Sequence, residues 1–259
     1  MNHKKLKTYR AKSDIVKIDC GVFDADVSFT STSRPELIIE YSKHLYIRID
    51  EADGVVTLKQ LKKPIFHIHT PAINFIIPDC CVPNLSLKMN NGSATLTDVI
   101  FNDAEINGDN IKTEITGCTF ENLAVKAKDL NASADDITVK NLANATADDG
   151  RVGIDNSFCK KTECRMKNGN IGVSCSTCEY TVLDTGNGTV AANMVGNEKD
   201  YTIELNGTTV SGNENLSESG KSFRARSATG SVVVDFSLPE GEEEIEKTEK
   251  DEDKQKITV

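Results

Sequence analysis

Asn90-Asn91-Gly92, Asp109-Asn110-Ile111, Lys128-Asp129-Leu130, Asp148-Asp149-Gly150, Lys167-Asn168-Gly169 and Gly186-Asn187-Gly188 form six polar triplets. Each has Asn or Asp at its centre, and the steps between centres are 19, 19, 20, 19 and 19 residues. Asn and Asp tolerate left-handed backbone and bond their own main chain, so the column reads as one turn stacked six times. A period near 20 with turns at fixed offsets marks a solenoid.

The residues on either side of the turn supply strands. Upstream, Leu87, Ile106, Val125, Ala145, Cys164 and Leu183 align; downstream, Ala94, Thr113, Ala132, Val152, Ile171 and Val190 do. Two positions further on stand Leu96, Ile115, Ala134, Ile154, Val173 and Ala192, and near the end of each period Phe101, Phe120, Val139, Cys159 and Cys178. Apolar residues two apart give a strand with one buried face, and the recurrence of the columns makes equivalent strands parallel neighbours about 4.8 Å apart. The expected fold is all-β: a single-stranded parallel β-helix (solenoid) with about 19 residues per rung and atypical capping strands at both ends. The 20-residue step from Asp129 to Asp149 implies one extra residue in the third or fourth rung, as a bulge or a longer corner.

The remaining segments fall around this core. Residues 1–13 read as a loose basic N-terminal lead-in. Residues 14–84 read as an N-terminal β capping region and the strands leading into the first rung, with Asp53-Gly54 as a turn and an excursion around 60–72. Residues 85–198 are the regular rungs and 199–238 the C-terminal capping strands. Residues 239–259 form an acidic tail with nine Asp/Glu against four Lys, expected to be disordered.

Composition narrows the functional classes. The 259 residues lack Trp and carry a net charge of −10, half of it in the tail, and the pI is near 5.0. An acidic chain argues against nucleic acid as partner, and no apolar run approaches the ~18 residues of a spanning helix, so membrane insertion is not expected. Thr8 to Ile18 is polar where a signal peptide needs an apolar core, so the expectation is a cytoplasmic protein with free thiols.

At this point the residues carry a resemblance. Ile76-Ile77-Pro78 leading into Leu85-Ser86-Leu87-Lys88-Met89-Asn90-Asn91-Gly92, the Asn-Gly turns at the rung period, and the closing Asn206-Gly207 with Ala228-Thr229-Gly230-Ser231-Val232-Val233-Val234 resemble a bacterial domain-of-unknown-function family of "putative adhesin" β-strand repeats. The likeness covers about residues 14–236. It implies a single-stranded parallel β-solenoid and an association with the cell envelope, and it implies no catalytic residues.

Three constellations could carry chemistry. Cys175-Ser176-Thr177-Cys178, with Cys159 and Cys164 before it, could hold a metal or act as a redox sensor. The competing reading is core packing, because three of the four thiols fall in apolar columns and residues three apart on a strand point to opposite faces. His67 and His69 share one face of an extended segment and could supply two metal ligands. Asp135, Asp136, Asp148, Asp149 and Asp155, with Arg151 nearby, could form the acid/base group of a polysaccharide-acting β-helix enzyme centred on Asp135, Asp149 and Asp155. Acidic corners also serve solubility, and no Trp is available as a sugar platform. The expectation is therefore a non-enzymatic scaffold or binding module, adhesin-like, that contacts another macromolecule or associates with itself. No catalytic, cofactor or metal residues are assigned.

Overall fold

A computed structural model of the chain describes residues 6–62, 71–215 and 220–238. The expected tail at 239–259 lies outside the described residues. The N-terminal portion holds β1 (Leu6–Arg10), β2 (Lys17–Thr32), β3 (Ile38–Ser42), β4 (Ile47–Ala52), β5 (Val55–Gln60) and β6 (Ala72–Pro78). The long strands follow: β7 (Asn84–Thr97), β8 (Ile100–Thr116), β9 (Thr119–Asp135), β10 (Thr138–Asp155) and β11 (Phe158–Asn187). Closing the chain are β12 (Val190–Val195), β13 (Tyr201–Asn206), β14 (Thr209–Ser211), β15 (Lys221–Ser227) and β16 (Ser231–Ser237). All belong to one open sheet whose central path is β2-β7-β8-β9-β10-β11-β12-β16.

The central pairs are parallel and hold the columns together. Leu87 partners Ile106, Ile106 partners Val125, and Ala145 stands between Val125 and Cys164. Within one long strand the buried set changes parity: Ile106 and Ile111 are both buried, as are Val125 and Leu130, although five residues separate each pair. A straight strand would point them to opposite faces, so the chain bends around its core at each such point. The result is a solenoid-like stack with a thin interior of Val, Ile, Leu, Ala and Cys. Aromatic side chains join it at intervals: Phe29 stacks on Phe75 at 4.8 Å, Phe101 on Phe120 at 6.2 Å, and Tyr201 packs on Phe236 at 5.1 Å.

The extra residue of the 20-residue step is a bulge in β10. Val139 aligns with Phe120 and Leu142 with Asn122, so Lys140 and Asn141 share the space of one residue. Both reach Glu121 of β9, Lys140 at 2.7 Å and the Asn141 amide at 3.4 Å.

Three expectations need correction. The Asn/Asp column is not a run of left-handed turns. None of its six members has a positive φ; the glycine that follows takes that role at Gly92, Gly150, Gly169 and Gly188. The column's side chains instead bond along the stack. Asn91 donates to Asp24, Asn168 to Asp149 at 2.8 Å, and Asn187 to Asn168 at 2.6 Å. Secondly, β2 is a rung and not merely a cap. It pairs with β7 in register, Asp24 against Asn91, across 67 residues of sequence that hold β3 to β6. On its other side lie β5 and β6, both parallel to it.

Thirdly, residues 6–13 are tied down where a loose lead-in over 1–13 is expected. β1 pairs antiparallel with β3, and Glu51 on β4 fastens the residues after it. The Glu51 carboxylate accepts from the Ser13 hydroxyl at 2.6 Å, from the Tyr9 hydroxyl, and from the amides of Lys12 and Ser13. These donors, Ser13 foremost and then Tyr9, hold its pKa down at about 2, below the ordinary 4.5. A depressed carboxylate stabilises the fold above its unfolded pKa and loses that contribution as pH falls through its folded value. Amide-exchange protection of β1 is therefore expected to fall as pH drops from about 4.5 to about 2. Glu51→Gln should lower it several-fold at neutral pH and leave β8 and β9 unchanged. Equal protection of β1 in the variant would remove the clamp.

Candidate functional site

The outward positions of β10, β11, β12 and β16 build a shallow trough of about 640 Å³. Its floor is the column Gly153, Gly172, Ala191 and Val233, each paired to the next. The same column earlier in the stack carries Thr95, Glu114 and Ser133, so the depression opens only where side chains shrink. One rim is Arg151, Asn170 and Thr189. The Asn170 side-chain oxygen accepts from the Thr189 amide at 2.9 Å, and the Thr189 and Ser231 hydroxyls meet at 3.2 Å. The other rim is Asp155, Ser174, Asn193 and Asp235. Four rungs make the floor about 14 Å long at the usual parallel spacing. Sequence reading missed this feature. Its signal in the sequence is a column of vanishing side chains, Ser133, Gly153, Gly172 and Ala191, with no titratable or nucleophilic group to mark it.

The candidate acid/base group comes together only in part. Asp135 and Asp155 are direct neighbours in adjacent strands. Asp149 lies before the bend at Gly150, accepts from Asn168 and belongs to the corner ladder. Asp148 pairs with Lys167 at 2.6 Å, and Asp136 sits in a left-handed corner, φ 53°. Arg151 and Asp155 stand on opposite rims of the trough, which Asp149 does not line.

Cys175 and Cys178 are separated. Cys175 is exposed in a left-handed conformation, φ 47°, and continues a second corner column of Asp98, Gly117, Asp136 and Asn156, all with positive φ. Its steps of 19, 19, 20 and 19 repeat those of the first column, but its members differ in chemistry and escaped notice. Cys178 is buried, with the Thr162 hydroxyl 3.3 Å from its sulfur. Cys159 and Cys164 are buried as well. Hydrogen bonding between the two free thiols raises the pKa of Cys159 and lowers that of Cys178. Burial pushes Cys20 and Cys164 up to about 12. No group of three or more His, Cys, Asp or Glu among the described residues is placed to hold a metal ion. His67 and His69 lie outside the described residues. Among the described residues no helix is long and apolar enough to cross a membrane.

These placements fix the thiol chemistry. In native protein a thiol reagent is expected to modify Cys80 and Cys175 quickly and Cys81 more slowly. Cys20, Cys118, Cys159, Cys164 and Cys178 should react only on unfolding. Cys175→Asn should remove one fast thiol and raise stability by up to about 1 kcal/mol, because Asn accepts left-handed backbone more readily. A loss of stability, or fast reaction of Cys178, would contradict the separation.

Comparison with known proteins gives a family and several distant structural likenesses. No curated protein matches the chain. Among solved structures, a "putative adhesin" from Bacteroides fragilis NCTC 9343 is similar at 16% identity, over 91% of this chain and 95% of that one, with a TM-score of 0.42. A "putative lipid binding protein" from Parabacteroides distasonis ATCC 8503 is similar at 13% identity over 91% and 96%, with a TM-score of 0.45. A "putative cell adhesion protein" from Clostridium sporogenes ATCC 15579 is similar at 12% identity over 91% and 100%, with a TM-score of 0.33. The sequence profile described as Toastrack DUF4097 matches residues 12–259, and the chain belongs to that family.

Proposed function

We propose that this chain is a non-enzymatic binding module whose outward sheet face contacts another macromolecule. The trough carries this reading. There a repetitive face becomes concave, and its rims offer an amide, hydroxyl or charged group at every rung. Long concave surfaces of stacked repeats suit extended partners. The frame for that contact is a single-stranded parallel β-solenoid with about 19 residues per rung. The 19- and 20-residue offsets between paired partners support that frame.

The enzyme reading asks for Asp135, Asp149 and Asp155 around one substrate bond, and Asp149 is engaged elsewhere in the corner ladder. The sensor reading asks for Cys175 and Cys178 together, and one is exposed while the other is buried.

Purified protein incubated with soluble polysaccharides should release no new reducing ends. Asp149→Ala should cost little beyond its bond to Asn168, on the order of 1 kcal/mol. Release of reducing ends that Asp149→Ala abolishes, from a protein that scattering finds monomeric and partnerless, would replace the binding module with an enzyme.

A further inference from the structure

Gly153 and Gly172 have no backbone reason to be glycine. Neither has a positive φ, and a Cβ built on either would meet nothing closer than 3.9 Å or 4.0 Å. The corner glycines are different: a Cβ on Gly150 would fall 1.9 Å from the Leu130 carbonyl oxygen, and one on Gly169 2.1 Å from that of Gly150. Glycine within a strand is also destabilising relative to alanine. Two consecutive rungs thus carry a destabilising residue that the fold does not require, at the two points that open the trough floor.

The occupant follows from what this surface can satisfy. The trough lies on a sheet face, and β10, β11 and β12 are hydrogen-bonded on both sides. An extended peptide gains its affinity from a free sheet edge, and on a face its amides would meet no ladder. A sugar chain brings hydroxyls, each both donor and acceptor, together with C–H faces. Gly153, Gly172 and Ala191 give the C–H faces a flat apolar floor. Side chains such as Asn170, Ser174 and Asn193 can serve hydroxyls in either direction at successive rungs. The rims carry one cation, Arg151, against Asp155 and Asp235, so a polyanionic chain is disfavoured.

We propose that the trough binds a neutral glycan chain laid across the rungs from Gly153 to Val233. This inference rests on the binding-module reading and specifies its ligand.

Affinity electrophoresis tests it, with amylose, mannan or hydroxyethyl cellulose cast in native gels and with gelatin and polygalacturonate gels as comparators. Wild-type protein should be retarded by at least one of the three neutral glycans. The double variant Gly153→Thr/Gly172→Thr should be weakened at least tenfold while its melting temperature stays level or rises, because Thr suits a strand. Ala191→Thr, which fills the floor without touching a glycine, should weaken retardation in the same direction. Migration unaffected by all three neutral glycans overturns the proposal, as does retardation that survives in the double variant at full stability. Retardation by gelatin alone, lost in the double variant, overturns the glycan and keeps the binding module with a peptide partner. Self-association in sedimentation velocity, lost in the double variant without any glycan effect, likewise overturns the glycan alone. A monomer retarded by none of these polymers overturns both readings.

Discussion

In a parallel stack each rung can satisfy its backbone only against the rungs above and below, so the chain length between equivalent points is held almost constant. A slip of one residue would turn every inward side chain outward. The extra residue in β10 is therefore absorbed where it arises. Lys140 and Asn141 share one position, and by Leu142 the strand aligns with Asn122 on one side and Lys161 on the other. Everything downstream, including the columns that build the trough, depends on that register being recovered within two residues.

The regular rungs were legible because register and burial act on the same residues. Leu87, Ile106 and Val125 are apolar, spaced by the period and stacked, and each property predicts the others. The column of Asp98, Gly117, Asp136, Asn156 and Cys175 has the same spacing, but what its members share is a backbone angle, which four residue types conceal. The Asn/Asp column was found for a partly wrong reason: the glycine after it makes the turn, and its own side chains bond from rung to rung. The role of β2 was hidden because its partner Asn91 follows it by 67 residues, a separation no periodicity can register. The trough was the hardest to read, since its floor consists of side chains that are missing.

Core size and cysteine usage are linked. One inward column shrinks from Phe101 and Phe120 through Val139 to Cys159, and Cys178 is buried beyond it. There Tyr201, itself fully buried, comes in from the far end and donates its hydroxyl to the Cys178 carbonyl at 2.8 Å. The thiols act here as small core residues that make room for a larger neighbour. Cys175, three residues before Cys178 and exposed, answers to corner geometry instead.

At the far end β15 and β16 pair with β11 and β12, while β13 and β14, earlier in the chain, lie on the outer side of β15 and β16. Leu238 thus leaves from the second-last layer, and the last layer is already occupied. A repeat unit added after this point would have to pass β13 and β14 before it could stack beyond them. Duplication of one unit between β8 and β11 would meet matching neighbours on both sides and leave both closures intact. The length of this molecule, and with it the length of any surface running along it, is varied with least disturbance from the middle.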